Sequence, residues 1–223
     1  MQEYEYEFGK KRSNKNEAEG RAPPKKTRFS DPSPEKIRKR WCRIGYSPPL
    51  SEIVTAARLA HQGLLGSVAY VNLWNLDLAS VPTEHLASLF TCITESVDIT
   101  EVSNCDLRIL DSVLCKWLDI GGQTLGNEET QAMVWSMESN VECVSLRSDV
   151  SLDIAALTQY GGLGKCEEFK CHGDTADRYR EEMRSWARRI NWNVSEDDSD
   201  EDDGDEDDDD NHDGRTIIIR REI

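Results

Sequence analysis

Five stretches of this chain repeat one apolar spacing, and that recurrence restricts the folds open to it more than any other feature. They are VAYVNLWNLDL from Val68, TESVDITEVSN from Thr94, CKWLDIGGQTL from Cys115, VECVSLRSDVS from Val141 and CEEFKCHGDTA from Cys166. Aligned on the fourth residue, they place Val71, Val97, Leu118, Val144 and Phe169 in one column. Two residues further on stand Leu73, Ile99, Ile120, Leu146 and Cys171. Apolar side chains at every second position mark a strand with one buried face. The starting points, from Val68 to Cys166, are nearly evenly spaced, with one shorter step between Thr94 and Cys115.

Helical patterns fill the intervals. Ser51 is placed to cap SEIVTAARLAHQ, which Gly63 can end. PTEHLASLFTCI carries Leu86, Leu89, Phe90 and Ile93 on one face, DLRILDSVL is short, and Asn127 is placed to cap EETQAMVWSME. LDIAALTQY runs into Gly161-Gly162. A last helix from about Thr175 to Asn191 has Tyr179, Met183, Trp186 and Ile190 at helical spacing. A short helix returns the chain to a neighbouring parallel strand, so the expected unit is strand then helix.

This pattern, over roughly residues 51–192, resembles a leucine-rich-repeat array of the ribonuclease-inhibitor type. The resemblance implies an α/β fold: a short solenoid of about five parallel strand–helix units, each needing its neighbours to bury its apolar edge. The chain departs from the family where Asn or Cys is usual, having Leu76, Val102, Gln123, Asp149 and Asp174 there. The competing reading is an α/β or α+β domain that only looks repetitive. In such a solenoid the residues alternating with the core line a concave, partner-binding face. Tyr70, Asn72 and Trp74, then Asp98, Trp117 and Asp119, then Arg147 and Lys170 fall on it. Exposed aromatics beside acids suit protein contacts, and nothing among them points to a small molecule.

Charge is segregated along the chain. Residues 1–50 hold 13 Lys/Arg against 7 Asp/Glu, whereas residues 195–214 hold 14 acids and no Lys or Arg. Segments this polar bury too little to offset their ordering entropy. Three parts are therefore expected: a disordered basic arm over 1–48, the repeat-like domain over 49–194, and a disordered acidic tail over 195–223 with a short basic and apolar end. In the arm, PPKKTR (Lys25, Lys26, Arg28) and KIRKR (Lys36, Arg38, Lys39, Arg40) look like a nuclear-import signal. That favours a nuclear location, with the cytoplasm as the alternative. Residues 10–43 could also hold nucleic-acid phosphates. In EDDSDEDDGDEDDDD, positions 196–210, everything but Ser199 and Gly204 is acidic. Such a run repels nucleic acid and attracts dense cations, so the expected partner is a basic protein such as a histone. Ser195 and Ser199 precede acids and suit an acid-directed kinase. Repeats followed by an acidic tail are similar in layout to the acidic leucine-rich nuclear phosphoproteins, though here a basic arm comes first and the Asn column is missing.

No catalytic pattern emerges. The 4 histidines have no partner at a metal-ligand spacing, and neither H-E-x-x-H nor G-x-S-x-G occurs. GGLGK at Gly161–Lys165 is too short for a phosphate loop. Cys171 and His172, on opposite faces of a strand, do not converge on zinc. The 7 cysteines, without C-x-x-C, read as buried thiols of a reducing compartment. No apolar run is long enough for a signal peptide or a membrane span. The expectation is a non-catalytic protein–protein interaction module with no cofactor and no membrane contact. The alternatives are a repeat-domain substrate adaptor, for which residues 1–50 lack an F-box-like apolar segment, and nucleic-acid binding through the basic arm.

Overall fold

The computed structural model describes residues 31–162, 164–198 and 215–222. In chain order the helices are α1 (Pro34–Arg40), α2 (Leu50–His61), α3 (Thr83–Phe90), a 3₁₀ helix (Leu107–Ser112), α4 (Asn127–Ser139), α5 (Ile154–Leu157) and α6 (Gly173–Ile190). The strands are β1 (Val68–Trp74), β2 (Ile93–Thr100), β3 (Trp117–Gly121), β4 (Thr124–Leu125), β5 (Cys143–Leu146), β6 (Ser151–Leu152), β7 (Glu168–His172), β8 (Trp192–Asp198) and β9 (Arg215–Arg221).

Seven strands make one sheet in the order β1-β2-β3-β5-β7-β9-β8. The first five are parallel and follow one another in sequence. The apolar columns of the sequence are register rows of this sheet. Val71 pairs with Val97, Val97 with Leu118, Leu118 with Val144, and Val144 with Phe169. Leu73, Ile99, Ile120, Leu146 and Cys171 pair in the same way. All ten side chains are at most 2 % exposed, and they join the helices in one core. Because side chains alternate across a strand, the columns between these rows fall on the face without helices.

Three strands hand over to their turns through a left-handed residue, Asn75, Glu101 or Gly122, and β7 runs through left-handed Gly173 straight into α6. The turns then stack. Asp77 bridges Ser103, and β4 pairs with β6 in a second, two-stranded ladder. At the positions where the repeat family carries Asn, only Gln123 acts in the expected way: its buried amide donates to the Val102 carbonyl at 3.2 Å. Asp174 does not. Its neighbour Thr175 takes the role, donating its hydroxyl to the Arg147 carbonyl at 2.9 Å and accepting from the Val150 N–H at 2.9 Å. The crossovers are unequal: α3 has 8 residues and α4 has 13, whereas β2 returns to β3 through a 3₁₀ helix of 6 and β5 to β7 through only 4 helical residues. The molecule is thus a mixed α/β fold on a mostly parallel sheet.

Several helix ends differ from expectation. α2 begins at Leu50 behind Pro49, whose carbonyl accepts from the N–H groups of Glu52 and Ile53. Proline has the extended ψ and fixed φ suited to that place, so Ser51 is inside the helix. Gly126, not Asn127, precedes α4, and the Asn127 amide donates to Asp153 instead. Asp153 caps α5, and Asn191, at φ 58°, ends α6.

The expected boundaries at 48/49 and 194/195 both move. The folded unit begins at Asp31. Within the charged segment 34–41, Ile37 and Trp41 lie four residues apart, on one side of α1, and are 0 % and 1 % exposed. They cover the free edge of β1, where the Tyr70 N–H donates to the Trp41 carbonyl at 2.9 Å. At the other end, Ser195 belongs to β8 and RTIIIRR is β9, antiparallel to both β7 and β8. Ile217 and Ile219 enter the core. Arg221 donates to the carbonyls of Gly162 and Gly164 and lies over the Trp192 ring. Trp192 in turn packs in a cluster with Tyr160 and Trp186, and Trp186 packs edge-on against Phe169. Asp198 and Arg215, on either side of residues 199–214, are partners in the β8–β9 register.

Candidate functional site

The open face of the sheet carries three columns in register. Tyr70, Ser96, Trp117, Cys143 and Glu168 form one; Asn72, Asp98, Asp119, Ser145 and Lys170 form the next. Trp74, Thr100 and Gly121 begin the third. At the β1–β3 end the face deepens into a cleft of about 760 Å³. Tyr70, Asn72 and Trp74 come from β1, Glu95, Ser96 and Asp98 from β2, and Trp117 and Asp119 from β3; Arg147 closes one side. The segment Ile44–Tyr46 forms the opposite rim.

That rim is held in place by a buried carboxylate. Glu52 of α2, 3 % exposed, accepts from the Arg40 guanidinium, from the Trp41 indole N–H at 2.8 Å and from the Tyr46 hydroxyl at 3.3 Å. A buried carboxylate is tolerable only with such partners. α1, the edge cover and the cleft rim therefore share one anchor.

The cleft is aromatic and acidic. Trp74 and Trp117 are 58 % and 52 % exposed and Ile44 is 84 % exposed; among the described residues no segment covers them. Asp98 accepts from the Thr100 hydroxyl and from Arg147, both at 2.8 Å. Burial, and then the Asp98 charge, push the Asp119 carboxyl above its usual range, against the pull of Arg147, Ser145 and Lys170. The Asn72 side-chain carbonyl is buried and has no hydrogen-bond partner.

Further along, the face is neutralised internally. Glu168 pairs with Lys170 at 2.7 Å and with Arg220. Burial works to raise the Glu168 carboxyl, but these partners bring it below the ordinary range. His172 lies between Ser145 at 3.2 Å and Thr216 at 3.0 Å. Burial first, then Lys170 and Arg147, lower its pKa. Burial and the Glu168 charge push the Cys143 thiol up to about 12, and burial does the same to Cys115 and Cys166. These sulfurs stay protonated and poorly nucleophilic. Cys171 is buried while His172 faces the other way, so the two do not converge.

Seven of the eight face residues expected from the sequence line this cleft; Lys170 lies apart, on its own ion pair. Arg147 is tied to Asp98 rather than free for a partner. Ile44, Tyr46 and Glu95 were not expected, and a short apolar and aromatic stretch after a basic run was the only signal for the first two. Of the import-type clusters, Lys25, Lys26 and Arg28 lie outside the described residues, as does Ser199. Lys36 and Lys39 are exposed on α1. Arg38 donates to the Leu65 carbonyl at 2.7 Å and Arg40 pairs with Glu52, so KIRKR lies in a docked helix. Ser195 is exposed, but in a strand paired with Ile218. Among the described residues no helix is long and apolar enough to cross a membrane. Comparison with protein-family models, curated proteins and solved structures returned no match for this chain.

Proposed function

We propose that the chain is a non-catalytic protein-interaction module, a short leucine-rich-repeat-like array that engages basic proteins such as histones, in the nucleus. The observation that carries this reading is the placement of acid. The acidic run, interrupted only by Ser199 and Gly204, leaves the sheet at Asp198 and returns at Arg215. Arg215 and Thr216 line a surface recess with Trp74, Arg147 and His172, so the run is rooted beside the aromatic cleft. Charges on such a run are screened beyond ~8 Å at physiological salt. A partner must therefore present many cations close together, as a histone does.

The test is binding of core histones, and separately of duplex DNA, across a salt series. The variant to compare replaces residues 199–214 by an Asn-Gly turn. A chain cut at Val194 is unsuitable, because it also removes β9 from the sheet. Histone affinity falls at least about tenfold in the variant and weakens with salt in the full chain; unchanged affinity refutes the reading. DNA binding that is lost on neutralising Lys25, Lys26 and Arg28 favours the basic arm instead. Deleting residues 1–43 would not test that alternative, since Ile37 and Trp41 are core. Nuclear entry is checked by imaging a fluorescent fusion with the same three residues changed to Ala.

A further inference from the structure

We infer that the cleft between the Ile44–Tyr46 rim and Trp117 receives one cationic side chain, lysine or arginine, of an extended partner peptide, with Asn72 and Asp119 as its hydrogen-bond acceptors. The inference rests on the interaction-module reading and supplies its recognition chemistry.

Three acceptors stand in a row across the cleft floor. Asn72 pairs in register with Asp98, and Asp98 with Asp119; neighbouring strands put each about 4.8 Å from the next. The middle member already accepts one bond on each oxygen, from Thr100 and from Arg147. The outer two are less well paired. The Asn72 Oδ1 is buried without a partner, a state that is costly unless something fills it. Asp119 is half-buried; Ser145 bonds to it, and the Asp98 charge crowds it. An added N–H donor of positive charge relieves both.

The walls fit the same guest. Tyr46, Tyr70, Trp74 and Trp117 border the cleft, and aromatic faces attract a desolvating cation. Of the three lining carboxylates, Asp98 pairs with Arg147 and Glu95 with Lys116, which leaves the Asp119 carboxylate in excess, so the lining is net acidic and disfavours an anion. A long aliphatic stem ending in a donor cation matches an apolar rim over an acceptor floor. Exposed Trp74 and Ile44 remain for the residues on either side of it.

The probe is a set of capped octapeptides with random flanks and a fixed central arginine, lysine, trimethyllysine or citrulline, retained on the immobilised full chain. The arginine or lysine pool is retained at least about tenfold over the citrulline pool, the ratio expected of charge-assisted bonds. Asn72→Leu, which changes no charge, and Asp119→Asn each bring that ratio towards one. Trp74→Ala reduces retention of all cationic pools. Each variant is first shown to unfold at a midpoint no lower than that of the parent. Equal retention of citrulline overturns the inference, as does a cationic preference that survives Asn72→Leu and Asp119→Asn. Preference for trimethyllysine, which donates no hydrogen bond, overturns the role of the two acceptors. The Asn-Gly variant separates the two readings. Histone binding lost with cationic retention intact sustains the cleft apart from the acidic run. Histone binding kept by the parent without any cationic preference removes the cleft alone.

Discussion

Replacing Ile219 by Ala is expected to unsettle the whole sheet, although the residue lies only four from the end of a 223-residue chain. Ile219 is 0 % exposed and sits in register between Phe169 of β7 and Val194 of β8. The change removes three carbons, about 0.8 kcal/mol each in transfer, or about 2.4 kcal/mol. A strand held on both sides by hydrogen bonds cannot collapse into the gap, so a cavity adds to this, and about 3–4 kcal/mol is expected within the usual range for such truncations. For a domain of this size that lowers Tm by roughly 6–15 °C. Ile218 is the control. It is only half-buried, points to the open face and pairs with Lys170 and Ser195. Ile218→Ala should cost about 1 kcal/mol or less. Urea unfolding of the full-length variants, followed by circular dichroism, measures both. Equal, small losses at the two positions would show that TIIIR is not an inner strand, and would also undo the view of the acidic run as a connection within the sheet.

Gly164→Ala puts a Cβ 2.3 Å from the Glu138 Cα and 2.7 Å from the Met137 carbonyl, both backbone atoms that cannot swing away; a loss of about 3 kcal/mol is expected in the same urea assay. Gly161→Ala meets nothing within 4 Å and should change stability by no more than about 0.5 kcal/mol. Glu52→Ala strips the Trp41 indole and Arg40 of their shared partner. Arg40 is half-exposed and stays solvated, so the loss is about 1–3 kcal/mol, mainly from the Trp41 N–H left buried without an acceptor, and amide exchange should accelerate over residues 34–46 before the β3–β7 region; uniform acceleration would argue against a local anchor. The lowered His172 pKa has a definite sign. The unfolded imidazole takes its proton near pH 6.5 while the folded one resists, so stability is full above that value and declines as pH falls below it. His172→Gln should flatten the Tm profile between about pH 7 and 5, and an unchanged slope would place the titration elsewhere.

How much was legible beforehand varied with how local the physics was. The register rows from Val71 to Phe169 and from Leu73 to Cys171 were readable because period-two patterning and a nearly even repeat spacing constrain strands one at a time. Once five strands are parallel, their outward columns follow, and the acidic and aromatic cleft residues on β1 to β3 follow with them. The replaced Asn column was visible as a departure. Its repair by Thr175 was not, because hydroxyl-to-backbone bonds across turns leave no periodic trace. The two ends were misjudged for a common reason. In a charged stretch, Ile37 and Trp41 are too few to signal a core helix, and TIIIR is too short to declare its partner.

By itself, then, the sequence determined the alternation, the strand columns and the segregation of charge, all consequences of side chains meeting water or core along a local period. The tertiary structure alone decided which groups close the sheet. Free N–H and C=O groups at the edges of β1 and β7 must be paired or covered, and only the folded chain brings Trp41 and β9 to them. The same closure pairs Asp198 with Arg215, the residues that flank the segment 199–214. It also spent Arg147 and Lys170 on internal carboxylates, while the Asn72 Oδ1 stays buried without a partner.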